Sequence, residues 1–195
     1  MYVRDAKNRE EVWLLDRIEG MGLDNSAFRS RDYVIAIDEA TNEKAGFGRI
    51  RIHKTDDEDI CELTSIGVLE QWRGQGVGAH VIERLVEYAG DEGFDIVYSL
   101  TNASDYLQQF GFERIDPAQL PEKLRDRLGT KQENIQPDAV PMRLAVDRFR
   151  MPQRLRDGFK QASAEDDPED AEPVEGPEDF GIDPDEATYK YDTGG

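Results

Sequence analysis

The alternation of apolar and polar residues predicts four strands and one helix in the N-terminal part of the chain. Strand-favouring side chains recur at a period of two, or nearly so, in residues 1–6, 33–38, 44–53 and 60–68. Between the first two strands, residues 9–20 carry apolar side chains at helical spacing and end at a glycine. The chain is therefore expected to begin as a strand, a helix and three further strands, with a hairpin turn at residues 39–43.

Residues 61–89 are predicted to form a strand, a turn and a helix, around which the rest of the chain is organised. Beyond the turn, Val81, Leu85, Val86 and Ala89 recur at spacings of three and four. The turn itself, Arg73-Gly74-Gln75-Gly76-Val77-Gly78, has three glycines in five residues. Glycines let an anion approach the backbone, and the first N–H groups of a helix have no partner within it. The turn is therefore predicted to bind a pyrophosphate.

The second half of the chain continues the alternation of strands and helices. A strand is predicted at 95–100, a short helix from 101 to Gly111, a strand from Phe112, a helix entered through the prolines within 115–128, and a last strand at 139–146. The strand-helix-strand order across 60–100 predicts a right-handed parallel crossover. The predicted fold class is α+β, with a mixed, mostly antiparallel twisted sheet of about six to seven strands flanked by helices.

The charge of the chain is negative and uneven. Of the formal net charge of −19, residues 162–195 carry −12, from thirteen acidic side chains and one lysine. Nucleic acids and anionic membranes are held by clustered lysine and arginine, so neither is expected as a partner. Such acidity keeps a protein soluble at high salt, and we interpret the chain as halophilic, from a salt-loaded cytoplasm such as that of haloarchaea.

Cysteine usage and hydropathy place further limits on the chain. Cys61 is the only cysteine, which excludes a disulfide framework and a cysteine-based metal site, and it lies in an apolar run typical of a core strand. No leader segment opens the chain, and no apolar run approaches the ~18 residues that a membrane span needs. The protein is predicted to be cytoplasmic, with a disordered acidic tail at 162–195.

Three phosphate-binding patterns compete for the glycine-rich turn. A P-loop is excluded because no Gly-Lys-Ser/Thr follows. A dinucleotide fingerprint is matched by Gly74, Gly76 and Ala79, but the polar run 70–73 separates these residues from the strand. The run Arg73-Gly74-Gln75-Gly76-Val77-Gly78 after Val68 instead resembles motif A of the GNAT N-acetyltransferase superfamily, Gln/Arg-x-x-Gly-x-Gly/Ala. That resemblance covers about residues 1–147 and implies the GNAT fold and acetyl-CoA as cosubstrate.

The resemblance also implies roles for individual residues. Glu62, six residues before Val68, matches the general base of the family, and the backbone N–H of Val68 matches the donor to the thioester oxygen. Leu107 stands where the family often has a tyrosine that acts as the general acid. The neighbouring Tyr106 is the remaining candidate for this role. One residue along a helix turns a side chain by about 100°, so Tyr106 need not point at the sulfur. The predicted cofactor-binding residues are Ile66, Gly67, Val68, Arg73, Gly74, Gln75, Gly76, Val77, Gly78 and Asn102. No metal is required.

Shorter motifs indicate a branch of the GNAT superfamily and the kind of molecule that accepts the acetyl group. Cys61-Glu62-Leu63 and residues 137–142 resemble the acetyltransferase domain of N-acetylglutamate-synthase-like enzymes, which implies a small-molecule amine, above all an amino acid, as the acceptor. A protein N-terminal or lysine acetyltransferase, a non-catalytic acetyl-CoA-binding module and a dinucleotide-binding protein remain as alternatives. The predicted organisation is an acetyltransferase domain at 1–147, a basic segment with a possible helix at 148–161, and the acidic tail, in a monomer or homodimer.

Overall fold

A seven-stranded mixed sheet forms the centre of the molecule in the computed structural model, which describes residues 1–164. The predicted tail therefore lies outside the described residues, apart from its first three. The strands are β1 (Tyr2–Asp5), β2 (Tyr33–Ile37), β3 (Lys44–Lys54), β4 (Asp59–Val68), β5 (Ile96–Thr101), β6 (Glu113–Arg114) and β7 (Val140–Ala145). The helices are α1 (Glu11–Gly20), α2 (Val77–Asp91), α3 (Ser104–Gln108), α4 (Glu122–Asn134) and α5 (Gln153–Gln161).

The strand order is β1-β2-β3-β4-β5-β7-β6. Every neighbouring pair is antiparallel except β4 and β5, which run parallel on either side of helix α2 in the chain. The predicted fold class and the parallel crossover are thus confirmed. The predicted strand after Gly111 shrinks to two residues, and α4 starts only after Pro121 but continues past residue 128 to Asn134.

The two faces of β3 and β4 differ in chemistry because side chains alternate along a strand. Ile50, Cys61 and Leu63 are buried in the same apolar cluster as the inner side of α2, which contributes Val81 and Leu85. Burial raises the pKa of the Cys61 thiol to about 12, as expected for a core residue and not for a nucleophile. The opposite face carries charged side chains, whose arrangement is described below.

None of the helices within residues 1–164 is both long and apolar enough to cross a membrane.

Candidate active site

The parallel strands β4 and β5 separate after a short contact. They pair only at Glu62 with Tyr98 and at Leu63 with Ser99, yet β4 runs on to Val68 and β5 to Thr101. An irregularity in β4 accompanies the separation: Ser65 has φ 54°, and the register with β3 shifts beside it. The gap between the strands, called the splay below, holds a narrow cavity of about 40 Å³ lined by Thr64–Ile66 and by residues 99–101.

The end of β4 directs a backbone donor toward the splay. The N–H of Leu69 donates to the carbonyl oxygen of Ala45 in β3, with an N–O distance of 2.8 Å. Successive N–H groups of a strand point to opposite sides, so the N–H of Val68 points away from β3, on the side of β5. This orientation supports the oxyanion-donor role predicted for Val68.

The glycine-rich turn has the backbone that its sequence predicts. Gly74 and Gly76 have φ angles of 72° and 76°, in the left-handed region that favours glycine. Helix α2 begins directly afterwards at Val77, so its positive end faces this turn. Arg73 donates from Nε to the carbonyl oxygen of Val68 at 3.2 Å, which ties the turn to the end of β4. These features fit a diphosphate-binding loop that continues from the splay.

Helix α5 lies against this turn, which changes the explanation for one glycine. A Cβ added at Gly76 would stand 2.3 Å from the carbonyl oxygen of Leu155, so this glycine makes room for α5. Gln75 and Ser163 exchange two hydrogen bonds, from Gln75 Nε2 to the Ser163 carbonyl at 3.0 Å and from the Ser163 N–H to Gln75 Oε1 at 2.8 Å. The absence of a Cβ at Gly76 therefore allows α5 to pack against the turn. From the sequence alone, the same glycine was explained by the close approach of an anion.

Side chains of α2 and α5 reinforce the contact. The imidazole of His80 stacks on Phe159 with ring centroids 3.8 Å apart, and His80 Nδ1 lies 2.8 Å from the carbonyl oxygen of Gly76. Arg156 donates to Glu83 at 2.8 Å. Within the segment 148–161, where a helix was considered possible, α5 forms at Gln153–Gln161 and packs onto α2.

The two residues of α3 that compete for the acid role face different surroundings. Leu107 lines the cavity in the splay. Tyr106 is buried and packs edge-on against Phe110, with ring centroids 5.2 Å apart, and is not among the residues that line this cavity. Asn102, predicted to position the cofactor, is exposed just beyond the end of β5. An acid role for Tyr106 stays a prediction, and the geometry argues against it.

Glu62 is fully buried and is held by two cationic or hydrogen-bonding side chains. Arg127 of α4 donates from Nε to Oε1 at 2.6 Å and to Oε2 at 3.0 Å, and His53 Nε2 lies 2.9 Å from Oε1. Burial alone would raise the pKa of Glu62, but the bonds from His53 and Arg127 lower it overall. His53 is buried as well, with a side chain that is 3% exposed.

Arg127 links Glu62 to a second buried carboxylate. Its Nη2 also donates to Asp24 in the loop after α1, and hydrogen bonds from Ser26 and Arg127 outweigh burial and lower the pKa of Asp24. The ammonium of Lys131, one helical turn further along α4, donates to the carbonyl oxygen of Leu100 in β5, and burial lowers the pKa of Lys131. Glu62, Asp24, Arg127 and Lys131 are called the charged cluster below.

A larger cavity of about 310 Å³ opens beside the charged cluster. It shares Asp24, Lys131 and Ile135 with the lining of the splay, so the two cavities adjoin. Arg51 also lines it: within residues 1–164 its buried Nη1 has no hydrogen-bond partner and no carboxylate lies within ion-pair distance. Burial and the positive charges of Arg127 and Arg49 lower the pKa of Arg51 and outweigh the opposing effect of the Glu62 and Asp24 carboxylates.

Sequence reasoning missed Arg51, His53, Asp24, Arg127 and Lys131. A signal for two of them was present, because Arg49, Arg51 and His53 alternate along β3 and so share one face. Arg127 and Lys131 lie four residues apart on α4, but the helix was expected to end before Lys131.

The fold and the sequence match known acetyltransferases. A family model described as the acetyltransferase (GNAT) family matches residues 4–112. An uncharacterised N-acetyltransferase of Chlorobaculum tepidum is 28% identical over 97 residues, which cover 49% of this chain and 56% of that relative.

Two solved structures show the same fold at low sequence identity. N-acetylglutamate synthase of Neisseria gonorrhoeae, crystallised with coenzyme A and N-acetyl-glutamate, superposes with a TM-score of 0.60 at 17% identity, over 74% of this chain and 34% of that one. The Mycobacterium tuberculosis protein Rv2747, in complex with CoA, superposes with a TM-score of 0.60 at 16% identity, over 74% of this chain and 99% of that one. The chain thus spans about a third of the Neisseria enzyme and about half of the Chlorobaculum relative. Since the family model covers more than half of its length, the chain belongs to the acetyltransferase (GNAT) family.

Proposed function

We propose that the protein transfers an acetyl group from acetyl-CoA to the primary amine of an amino acid or a similar small carboxylate-bearing molecule. The observation that carries this proposal is Arg51: among the described residues no carboxylate lies within ion-pair distance of its guanidinium, which lines a cavity that adjoins the splay. A buried polar atom without a partner is costly, as for Nη1 of Arg51, and a carboxylate is the usual partner of a guanidinium. The acceptor would bind here with its carboxylate on Arg51 and its amine toward the splay.

The cofactor would be held by the backbone of β4 and of the glycine-rich turn. Pantetheine fits the splay, where the edges of β4 and β5 are not paired with each other, and the diphosphate fits the turn at the start of α2. Bound acetyl-CoA supplies the thioester. The N–H of Val68 would donate to the thioester oxygen and stabilise the negative charge that develops there.

The acceptor must lose a proton before it reacts, because an amine reaches the site as ammonium. Glu62 and the groups around it are the candidates for this step. The free amine then attacks the thioester carbon in a ternary complex, the C–N bond forms, and the C–S bond breaks. A coenzyme thiol has an ordinary pKa of about 8.5, so it leaves readily even with Leu107 where the family often has tyrosine.

Acceptor profiling with an Arg51 variant tests the proposal. Purified protein is incubated with acetyl-CoA and separate pools of amino acids, polyamines and peptides in multimolar KCl, while thiol release is followed. We expect release with the amino-acid pool. Arg51→Gln removes a charged hydrogen bond to the acceptor carboxylate, which is worth about 1.5–3 kcal/mol. The KM for the amino acid should therefore rise roughly 10- to 100-fold.

The matched control is Arg125→Gln, because Arg125 is exposed on α4 and its side chain makes no hydrogen bond within the described residues. The KM for acetyl-CoA should change little in either variant. Equal effects of the two substitutions, or turnover confined to polyamines, would contradict the role of Arg51. Release confined to the peptide pool would indicate a protein acetyltransferase.

A non-catalytic acetyl-CoA-binding module is the second candidate. The observation that favours it is Leu107, which brings no acid to the splay. Binding of acetyl-CoA without thiol release from any pool would support this candidate.

The acidic composition supports a cytoplasm rich in salt as the working environment, as in haloarchaea. Activity and thermal stability that rise together between low salt and multimolar KCl would agree with this proposal, and loss of both in KCl would oppose it.

A further inference from the structure

We propose that His53, oriented by Glu62, takes the proton from the acceptor ammonium, and that Glu62 is a positioning residue and not itself the base. This inference rests on the proposed acetyl transfer and names the group that serves its deprotonation step.

Glu62 is poorly placed to meet an acceptor. Its side chain is 0% exposed, and it lines neither the splay nor the larger cavity. Both of its oxygens accept from Arg127, and one lies against His53. A carboxylate whose pKa is lowered by such bonds is also a weaker base.

His53 is placed better. It lines the larger cavity together with Arg51, the proposed carboxylate partner, and Lys131, which that cavity shares with the splay. Because the Glu62 carboxylate is ionised, it can only accept, so His53 Nε2 must carry the hydrogen of their 2.9 Å contact. The lone pair of a neutral imidazole then resides on Nδ1. A carboxylate that fixes the tautomer of a histidine base is the arrangement of the serine-protease triad.

The protons and bonds balance as follows. The ammonium gives one proton to His53 Nδ1, and the imidazolium that forms is stabilised by Glu62. The amine lone pair forms the C–N bond, and the C–S bond breaks. The second proton of the nitrogen leaves as the adduct collapses and accompanies sulfur as the thiol, while His53 returns the first proton to water. The products are the amide, coenzyme A and one proton.

The charges that surround His53 come from four parts of the fold. They are Glu62 on β4, Arg51 on β3, Asp24 in the loop after α1, and Lys123, Asp126, Arg127 and Lys131 on α4.

Nitrogen NMR tests the tautomer without any need for turnover. The chain has two histidines, and the structure gives them opposite tautomers. His53 should carry its hydrogen on Nε2, toward Glu62, and His80 on Nδ1, toward the Gly76 carbonyl, which only accepts. Long-range proton–nitrogen spectra of ¹⁵N-histidine-labelled protein distinguish the two forms, and His80→Gln assigns the signals. An Nδ1–H tautomer for His53, or a ring protonated at both nitrogens throughout the active pH range, would overturn the inference.

The pH profile of kcat then separates His53 from Glu62. General base catalysis contributes about 10²–10⁴-fold, so His53→Gln should lower kcat by roughly that factor and remove the break on the acid side of the profile. Glu62→Gln should lower kcat but keep the break, since the imidazole remains. The KM for acetyl-CoA should change less than about threefold in both variants, because neither residue belongs to the proposed cofactor site.

Lys54→Gln is the matched control, since Lys54 is exposed at the next position of β3. If His53→Gln keeps the acid-side break and Glu62→Gln loses it, Glu62 is the base and the inference fails while acetyl transfer stands. If wild-type protein binds acetyl-CoA but releases no thiol, the proposed function fails, and the tautomer result still decides the orientation of His53.

Discussion

Replacement of Arg127 by methionine is the most informative test of the buried charges. Methionine keeps the length and the apolar stem of the side chain and removes the guanidinium. Arg127 is the only residue that joins Glu62 and Asp24 among the described residues, through Nε to both Glu62 oxygens and through Nη2 to Asp24. The variant therefore leaves two buried carboxylates without their shared cation.

The expected cost follows from burial. Glu62 is 0% and Asp24 4% exposed at the side chain. Removing one partner from a buried ion pair typically destabilises a protein by about 3–5 kcal/mol, because a charge stays buried without compensation. For a domain of this size, about 2–4 °C per kcal/mol converts that loss to a decrease in Tm of roughly 6–20 °C. High salt should not hide the effect, because buried pairs are screened little.

The stability lost in Arg127→Met should depend on pH in a predictable direction. In the wild type the pKa of Glu62 and of Asp24 is lowered, so their contribution to stability is complete above the ordinary carboxyl range near ~4. It is lost as the pH falls from that range through the lower pKa values of the folded state. Without Arg127, burial is opposed only by His53 and Lys131, so the pKa of Glu62 should be higher than in the wild type. As the pH falls, protonation of Glu62 removes the uncompensated buried charge from the variant. The difference in the free energy of unfolding between wild type and variant should therefore shrink from pH 7 to pH 5.

Urea unfolding at both pH values measures these differences, with Arg125→Met as the control. Arg125 is exposed on the same helix and should cost less than about 0.5 kcal/mol. A cost for Arg127→Met no larger than that of the control, or a difference from wild type that widens at pH 5, would refute the view that Arg127 holds two buried carboxylates as anions.

Three further substitutions or labelling experiments test single features. Gly76→Ala should lower the Tm more than the control Gly93→Ala, and it should expose the basic residues of α5 to trypsin. Both glycines have a left-handed backbone, but of the two only Gly76 lies where an added Cβ would meet a backbone atom, the carbonyl oxygen of Leu155. Equal effects in melting and proteolysis would argue against close packing of α5. Cys61, with a pKa raised to about 12 by burial, should resist iodoacetamide at pH 8 in the native protein and react in urea, as followed by mass spectrometry; rapid native labelling would show that it is accessible. Tyr106→Phe should lower kcat less than about twofold in thiol-release assays, since Tyr106 does not line the splay, whereas a loss near the 10²-fold typical of a general acid would establish the acid role.

The elements with strong local periodicity could be predicted from the sequence. Strands β2–β4 and helix α2 combine period-two or helical spacing with clear turn residues, and all four form where expected. Helix α4 shows the limit. After Leu128 it has no further apolar residue, so its last turns give no hydrophobic signal, although Lys131 reaches back to Leu100 and anchors them.

The same distinction applies to the site. The glycine-rich turn is contiguous in sequence, so its backbone and its place before α2 could be read from residue types alone. The charged cluster could not, because it joins residues from a loop, a strand and a helix that are up to 103 positions apart, as for Asp24 and Arg127. A glutamate on a strand looks the same in sequence whether it faces a substrate or, as Glu62 does, is enclosed by Arg127 and His53.

The central claim is that the main chain at the start of α2 and along the splay binds coenzyme A. Isothermal titration with acetyl-CoA and, separately, with NAD in multimolar KCl tests it most directly. We expect a saturable heat with acetyl-CoA at one site per chain and none with NAD. A clear heat with NAD and none with acetyl-CoA would contradict the claim.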